Sequence, residues 1–174
     1  MHTFVFVDSA CGADAQLAAS ILADCLGRQG LRCTVRNESV TVDDPDEEPR
    51  QVLVLLEESL LEHPIVRAHL DSTTTVVVCS ARPARIVLDR LGGLPAGVVT
   101  VDGFGIAFEA GSDPVTALLG GAARTAPWVD PDVLCAAIWA NYDREFAYGA
   151  RAAIKAFDQG YLQAQQAVST PRHL

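Results

Sequence analysis

The chain has 174 residues, which at roughly 150 residues per domain leaves room for one compact domain and little else. Hydrophobic residues at 49% and charged residues at 20% exclude a chain dominated by disorder or by a fibrous repeat. A formal net charge of −9 excludes nonspecific attraction to a phosphate backbone as a driving force, so no nucleic-acid partner is expected.

Thr3 to Val7 is a run of β-branched and aromatic residues bounded by Asp8-Ser9, which predicts a buried strand entering a polar turn. Leu17, Ala18, Ile21, Leu22, Cys25 and Leu26 then recur at steps of three and four. With Gly27 and Gly30 as the stop, they predict an amphipathic helix over about 14–28. Leu31 to Arg36 reads as a second strand. Between Glu38 and Glu62 lie nine acids and one base, Arg50, and Asp43 to Pro49 reads as a loop. This acidic stretch fits a solvated surface that keeps the chain soluble, with an acidic docking surface as the alternative.

Gln51 to Leu56 is an apolar run of strand length, which predicts burial on both faces. Ser59 to Leu70 has a helical pattern interrupted by Pro64. Thr73 to Cys79, β-branched almost throughout, predicts a strand; Ala84 to Leu91 a short helix stopped by Gly92-Gly93; and Gly97 to Val101 a further strand. Beyond Asp102 the pattern turns helical. Ser112 or Asp113 caps Pro114 to Arg124, Asp130 caps Pro131 to about Tyr142, and a last helix is predicted from Arg144 to Val168. Strands alternating with helices imply a single α/β domain over 1–174. Its expected form is a three-layer, doubly wound, mostly parallel sheet of Rossmann-like type, closed by a helical C-terminal region.

Five cysteines without paired spacing argue against a disulfide framework, and no C-x-x-C or histidine cluster offers local metal ligands. Neither a signal peptide nor a membrane span is legible, so the expected location is the cytoplasm, with no membrane partner. His63 and His69 are six residues apart and do not share a helix face as a metal pair would. In an open α/β sheet, ligands bind beyond the carboxyl ends of the strands. The first such end is Ser9-Ala10-Cys11-Gly12, a degenerate loop with one glycine where a dinucleotide fingerprint needs three. Cys11 at a helix N-terminus has a reactive-thiol reading beside the plainer one of a small turn residue. A Gly-Lys-Ser/Thr phosphate loop is absent.

The order of motifs along the chain resembles a known family. Val101-Asp102-Gly103-Phe104-Gly105-Ile106-Ala107, then Gly120-Gly121-Ala122, then Ala156-Phe157-Asp158-Gln159-Gly160-Tyr161 are similar to the gamma subunit, or gamma domain, of the 2-oxoacid:ferredoxin oxidoreductases. Cys11 to Ala23 resembles that family's first loop and helix, and Pro49 to Leu56 its strand reading Pro-Asp-x-Leu-Val-Ala-Leu. Two departures mark the chain as a diverged, shortened member. The glycine-rich loop after the first strand is reduced to Ser9-Ala10-Cys11-Gly12-Ala13-Asp14, and no Ser-Tyr-Gly-Pro-Glu segment lies between Arg36 and Gln51.

The resemblance implies an accessory subunit of a complex that decarboxylates a 2-oxoacid on thiamine diphosphate and passes electrons through iron–sulfur clusters to ferredoxin. Those cofactors, with magnesium, are expected on partner subunits of alpha, beta and delta type. This chain is expected to be inactive alone and to act structurally or by gating substrate. The competing expectation is a free-standing flavodoxin-like protein holding FMN or a nucleotide at Ser9, Ala10, Cys11 and Gly12. For the partner interface, the glycines of the segment Asp102 to Gly121, Gly103 and Gly105 among them, offer close backbone approach to another chain. Trp128, in a connection, offers an aromatic anchor. The alternative is that these aromatics close the domain's own core.

Overall fold

A computed structural model describes residues 1–9, 12–36, 38–43, 50–142 and 147–168, with the side chains of 147 and 148 left aside. One seven-stranded sheet runs in the order β2-β3-β1-β4-β5-β6-β7. Its strands are β1 (His2–Val7), β2 (Cys33–Arg36), β3 (Ser39–Val42), β4 (Arg50–Leu55), β5 (Thr74–Cys79), β6 (Gly97–Val101) and β7 (Gln165–Val168). Its helices are α1 (Ala13–Arg28), α2 (Pro64–His69), α3 (Ala84–Arg90), α4 (Gly103–Ala110), α5 (Pro114–Thr125), α6 (Pro131–Tyr142) and α7 (Ala147–Gln163).

The four central strands β1, β4, β5 and β6 pair in parallel, as their apolar runs predict. Their side chains alternate between two cores. Val52, Val54, Val77, Val99 and Val101 face α1, α5, α6 and α7, whereas Leu53, Leu55, Val76, Val78 and Val98 face α2, α3 and the 3-10 turn Glu58–Glu62. Helices on both faces make the three-layer α/β arrangement that the alternation of elements predicts.

Both edges of the sheet add antiparallel strands to this parallel centre. The segment after α1 is an antiparallel hairpin, β2 against β3, and β3 pairs antiparallel to β1. Ser39-Val40-Thr41-Val42 buries Val40 and Val42 and turns Ser39 and Thr41 outward, an alternation hidden in sequence by the acids that flank it. At the other edge the predicted last helix ends at Gln163, and Gln165–Val168 pairs antiparallel to β6. Gln165-Gln166-Ala167-Val168 holds one strand former, Val168; the open edge of β6 supplies the ladder. The turn Ser59 to Leu70 splits at Pro64 into the 3-10 turn and α2, where His63 caps α2 by accepting from the Ile65 N–H at 3.3 Å.

Helix α5 is the keystone of the larger layer. Every residue from Val115 to Ala123 is buried, because the helix lies between the sheet on one side and α7 on the other. That depth requires glycine on both sides. A Cβ on Gly121 would come within 2.5 Å of Val101 Cγ2, and one on Gly120 within 2.6 Å of the Tyr161 backbone nitrogen. A Cβ on Gly160 of α7 would overlap the Ala117 carbonyl, with the carbonyl carbon at 2.7 Å. The Gly120-Gly121 and Gly160-Tyr161 motifs are thus two halves of one helix crossing.

A methyl group at Gly160 has no room and no flexible neighbour to displace, so Gly160→Ala is expected to lower stability by about 1–3 kcal/mol or more. Gly149→Ala, in the same helix but with open space around it, is expected to cost nothing, and to gain up to about 1 kcal/mol from helix propensity. Urea midpoints of the two variants check this directly.

Candidate functional site

The strand order reverses beside β1: α1 leads to the hairpin on one side, whereas β4, β5 and β6 build on the other. The carboxyl ends of the parallel strands therefore meet at the place where ligands bind in open α/β sheets. There, Glu57, Glu58, Ser59, Cys79, Ser80, Ala81, Asp102 and Phe104 line an open cleft of about 410 Å³.

Each polar group in the cleft is held by a neighbour. Glu57 follows β4 and accepts hydrogen bonds from the hydroxyls of Ser9, at the end of β1, and Ser59, the latter at 3.0 Å. Glu58 accepts from Ser80 Oγ at 2.6 Å and pairs with Arg82 at 2.9 Å and Arg90 at 2.7 Å. Asp102 caps α4 by accepting from the Gly105 N–H at 3.0 Å. The Cys79 sulfur receives the backbone N–H groups of Gly103 and Phe104, which lower its pKa, but burial weighs more and pushes the thiol above its ordinary value. Among the described residues that line the cleft there is no histidine.

Of the residues predicted to hold a cofactor, Ser9 is exposed and engaged with Glu57, and Gly12 caps α1 at φ 73°. Ala10 and Cys11 lie outside the described residues, as does the acidic run from Asp44 to Glu48. The surroundings of Gly12 are acidic. Glu38 Oε1 would sit 2.8 Å from a Cβ on Gly12, and the charges of Asp8 and Asp113 add to burial in raising the pKa of Asp14. A phosphate at this helix end would meet carboxylates rather than cations. Among the described residues no group of three or more His, Cys, Asp or Glu is placed to hold a metal ion.

The interface residues read differently in three dimensions. Gly103 is buried and Gly105 half-buried, and the space that their missing side chains leave is filled by this chain. A Cβ on Gly103 would lie 2.8 Å from Cys79 Sγ, and one on Gly105 2.5 Å from Asp102 Oδ2. These glycines seat α4 on β5 and let Asp102 cap it. Trp128 is half-buried on the larger core, stacked on His2 with ring centroids 5.0 Å apart and edge-on to Phe4 at 5.3 Å. Gln29 ties down its connection, donating to the Trp128 carbonyl at 3.1 Å. The ring thus packs on the domain's own core and keeps part of its surface exposed.

The cleft residues Glu57, Cys79, Ser80 and Asp102 were accessible to the same rule that singled out Ser9 to Gly12. Each stands at or one or two residues beyond the end of an apolar strand, at Leu56-Glu57, Cys79-Ser80 and Val101-Asp102. Of the described acids of the 38–62 stretch, Glu58 bridges two arginines, and Glu62, though exposed, pairs with Arg67 at 2.7 Å.

No family model matches the sequence, and no curated protein matches it. Among solved structures the chain is similar to the pyruvate oxidoreductase subunit PORC of Thermotoga maritima, with a TM-score of 0.79 at 19% identity, covering 95% of this chain and 98% of that one. It is also similar to the gamma subunit of a keto/oxoacid ferredoxin oxidoreductase from Geobacter sulfurreducens, with a TM-score of 0.63 at 13% identity, covering 92% and 93% of the two chains. At these identities the likeness is one of fold.

Two measurements check the site's assignments. Trp128→Ala is expected to destabilise the isolated chain by about 2–3 kcal/mol, somewhat below the roughly 3–5 kcal/mol of a fully buried aromatic, read as a lower melting temperature. Burial holds the Cys25 thiol up at about 12 and the Cys135 thiol at about 11. Alkylation at pH 8 followed by peptide mass mapping should therefore leave both unmodified in the native chain and label both in urea.

Proposed function

We propose that the chain is an accessory, gamma-type subunit of a 2-oxoacid:ferredoxin oxidoreductase, a complex that oxidatively decarboxylates a 2-oxoacid and delivers the electrons to ferredoxin. The observation that carries this reading is reciprocal coverage: the likeness to the Thermotoga subunit runs through nearly the whole of both chains. A shared core inside a larger, unrelated enzyme would cover one chain and not the other. The motif order supports the same reading, because Gly121 and Gly160 stand where the family motifs Leu-Gly-Ala and Ala-Phe-x-x-Gly-Tyr have glycine, and each fills a packing role that a larger residue would break.

In this reading, thiamine diphosphate, its magnesium ion and the iron–sulfur clusters belong to the alpha, beta and delta partners. The chain's own contribution is structural or substrate-gating, exerted through the surface at the carboxyl ends of its strands. Its cleft suits that role, since the serines and carboxylates there fix one another rather than stand ready for an incoming anion. No residue of the chain carries the chemical step, and the chain alone is inactive.

Affinity capture of the tagged chain from its own host at low salt, followed by subunit identification and a 2-oxoacid-dependent dye-reduction assay, tests this. The expected eluate holds thiamine- and cluster-bearing subunits in stoichiometric amount and reduces the dye. A chain that elutes alone, with no such subunit and no 2-oxoacid-dependent reduction, contradicts the proposal.

A further inference from the structure

Helix α4 carries an aromatic pair that the fold does not use. Phe104 is 58% exposed and Phe108 is 90% exposed, and their spacing of four residues places them on one face while Gly103, Ile106 and Ala107 turn inward. The other described phenylalanines, Phe4, Phe6 and Phe157, are at most 2% exposed. Single exposed aliphatic side chains are common on any surface, but two adjacent phenylalanines are not, and Phe104 also forms a wall of the cleft beside Cys79 and Ala81. The apolar strip thus runs from the cleft along the outer face of α4.

The charge around the strip decides what can cover it. Glu57 and Asp102 stand at the cleft end, and the exposed Glu109 follows Phe108 directly. Arg82 pairs with Glu58, whereas Lys155 Nζ donates to the Glu109 backbone carbonyl at 3.4 Å and keeps its charge, so three carboxylates, Glu57, Asp102 and Glu109, stand against that ammonium. A second copy meeting this face about a two-fold axis would set carboxylate against carboxylate, in a chain whose net charge is already −9. An anionic membrane would be repelled by the same rim.

We infer that Phe104 and Phe108 dock into an apolar slot bordered by Lys or Arg on a different protein subunit of the oxidoreductase complex. The inference rests on the proposed subunit role and names the face that serves it. Aromatic anchors surrounded by charges that match across the contact are what a specific, heteromeric interface uses.

The test uses the intact complex captured through the tagged chain, comparing wild type with a Phe104→Ser/Phe108→Ser double variant. Both side chains are exposed, so the variant should keep the wild-type melting temperature. Its co-purifying oxidoreductase subunits should fall at least tenfold, and the wild-type complex should loosen as salt rises. A benzoyl-phenylalanine at position 108 in the otherwise unchanged chain gives a second readout that does not depend on the double variant folding, and its photo-crosslink should map to an oxidoreductase subunit.

Undiminished stoichiometry in the double variant, or a crosslink that fails to form, overturns the inference and leaves the subunit role standing. A crosslink to a second copy of this chain, or flotation of the wild type with phosphatidylglycerol-containing vesicles that the double variant loses, replaces the proposed occupant and overturns the inference as well. A wild-type chain that captures no oxidoreductase subunit removes both the inference and the subunit role.

Discussion

The architecture depends on how deeply α5 can sink between the parallel sheet and α7. A helix buried on opposite sides needs close approach twice, and adjacent glycines provide it: Gly121 against Val101 of the sheet and Gly120 against the backbone of α7, with Gly160 answering from α7. Close packing of this kind leaves little slack, because protein interiors have densities near those of organic crystals and transmit strain rather than absorb it. The position of α7 then sets that of β7, which follows Gln163 after one residue and covers the open edge of β6.

The same crossing fixes the carboxyl edge of the sheet. Asp113 caps α5 by accepting from the Val115 N–H at 2.9 Å, and its other oxygen accepts from Tyr142 at 2.5 Å, which joins the start of α5 to the end of α6. Pro114 packs where a side chain on Gly103 would stand, so α4 is wedged between the start of α5 and Cys79. With α4 pinned on its inner side, its outer face is presented rigidly, and Phe104 and Phe108 with it. Rigid presentation lowers the ordering cost of association, which suits the proposed subunit role.

Much of this was legible in the sequence, for reasons that differ by element. The strands β1, β4, β5 and β6 announce themselves because burial on both faces demands uninterrupted β-branched and aliphatic runs. Asp113 and Asp130 mark the starts of α5 and α6 because an aspartate before Pro114 or Pro131 satisfies the first free N–H groups. The hairpin strand β3 and the edge strand β7 were not legible: one lies among acids, and the other owes its conformation to the neighbour it pairs with. The glycines illustrate a subtler limit. Their spacing in sequence correctly signals close backbone approach, yet only the fold reveals that the approaching surface belongs to the same chain. Trp128 shows a similar limit: an aromatic residue in a connection looks alike in sequence whether it packs on a core or anchors a partner, and only the fold shows its contacts with His2 and Phe4.

In the proposed role this chain is one subunit among others and contributes a rigid surface rather than a catalytic group. Native mass spectrometry of the assembly purified from its own host tests that role. The expected spectrum shows this 18.5 kDa chain carried in a heteromeric particle whose other subunits hold thiamine diphosphate and iron–sulfur clusters. A spectrum holding only the free chain or multiples of its own mass would contradict it.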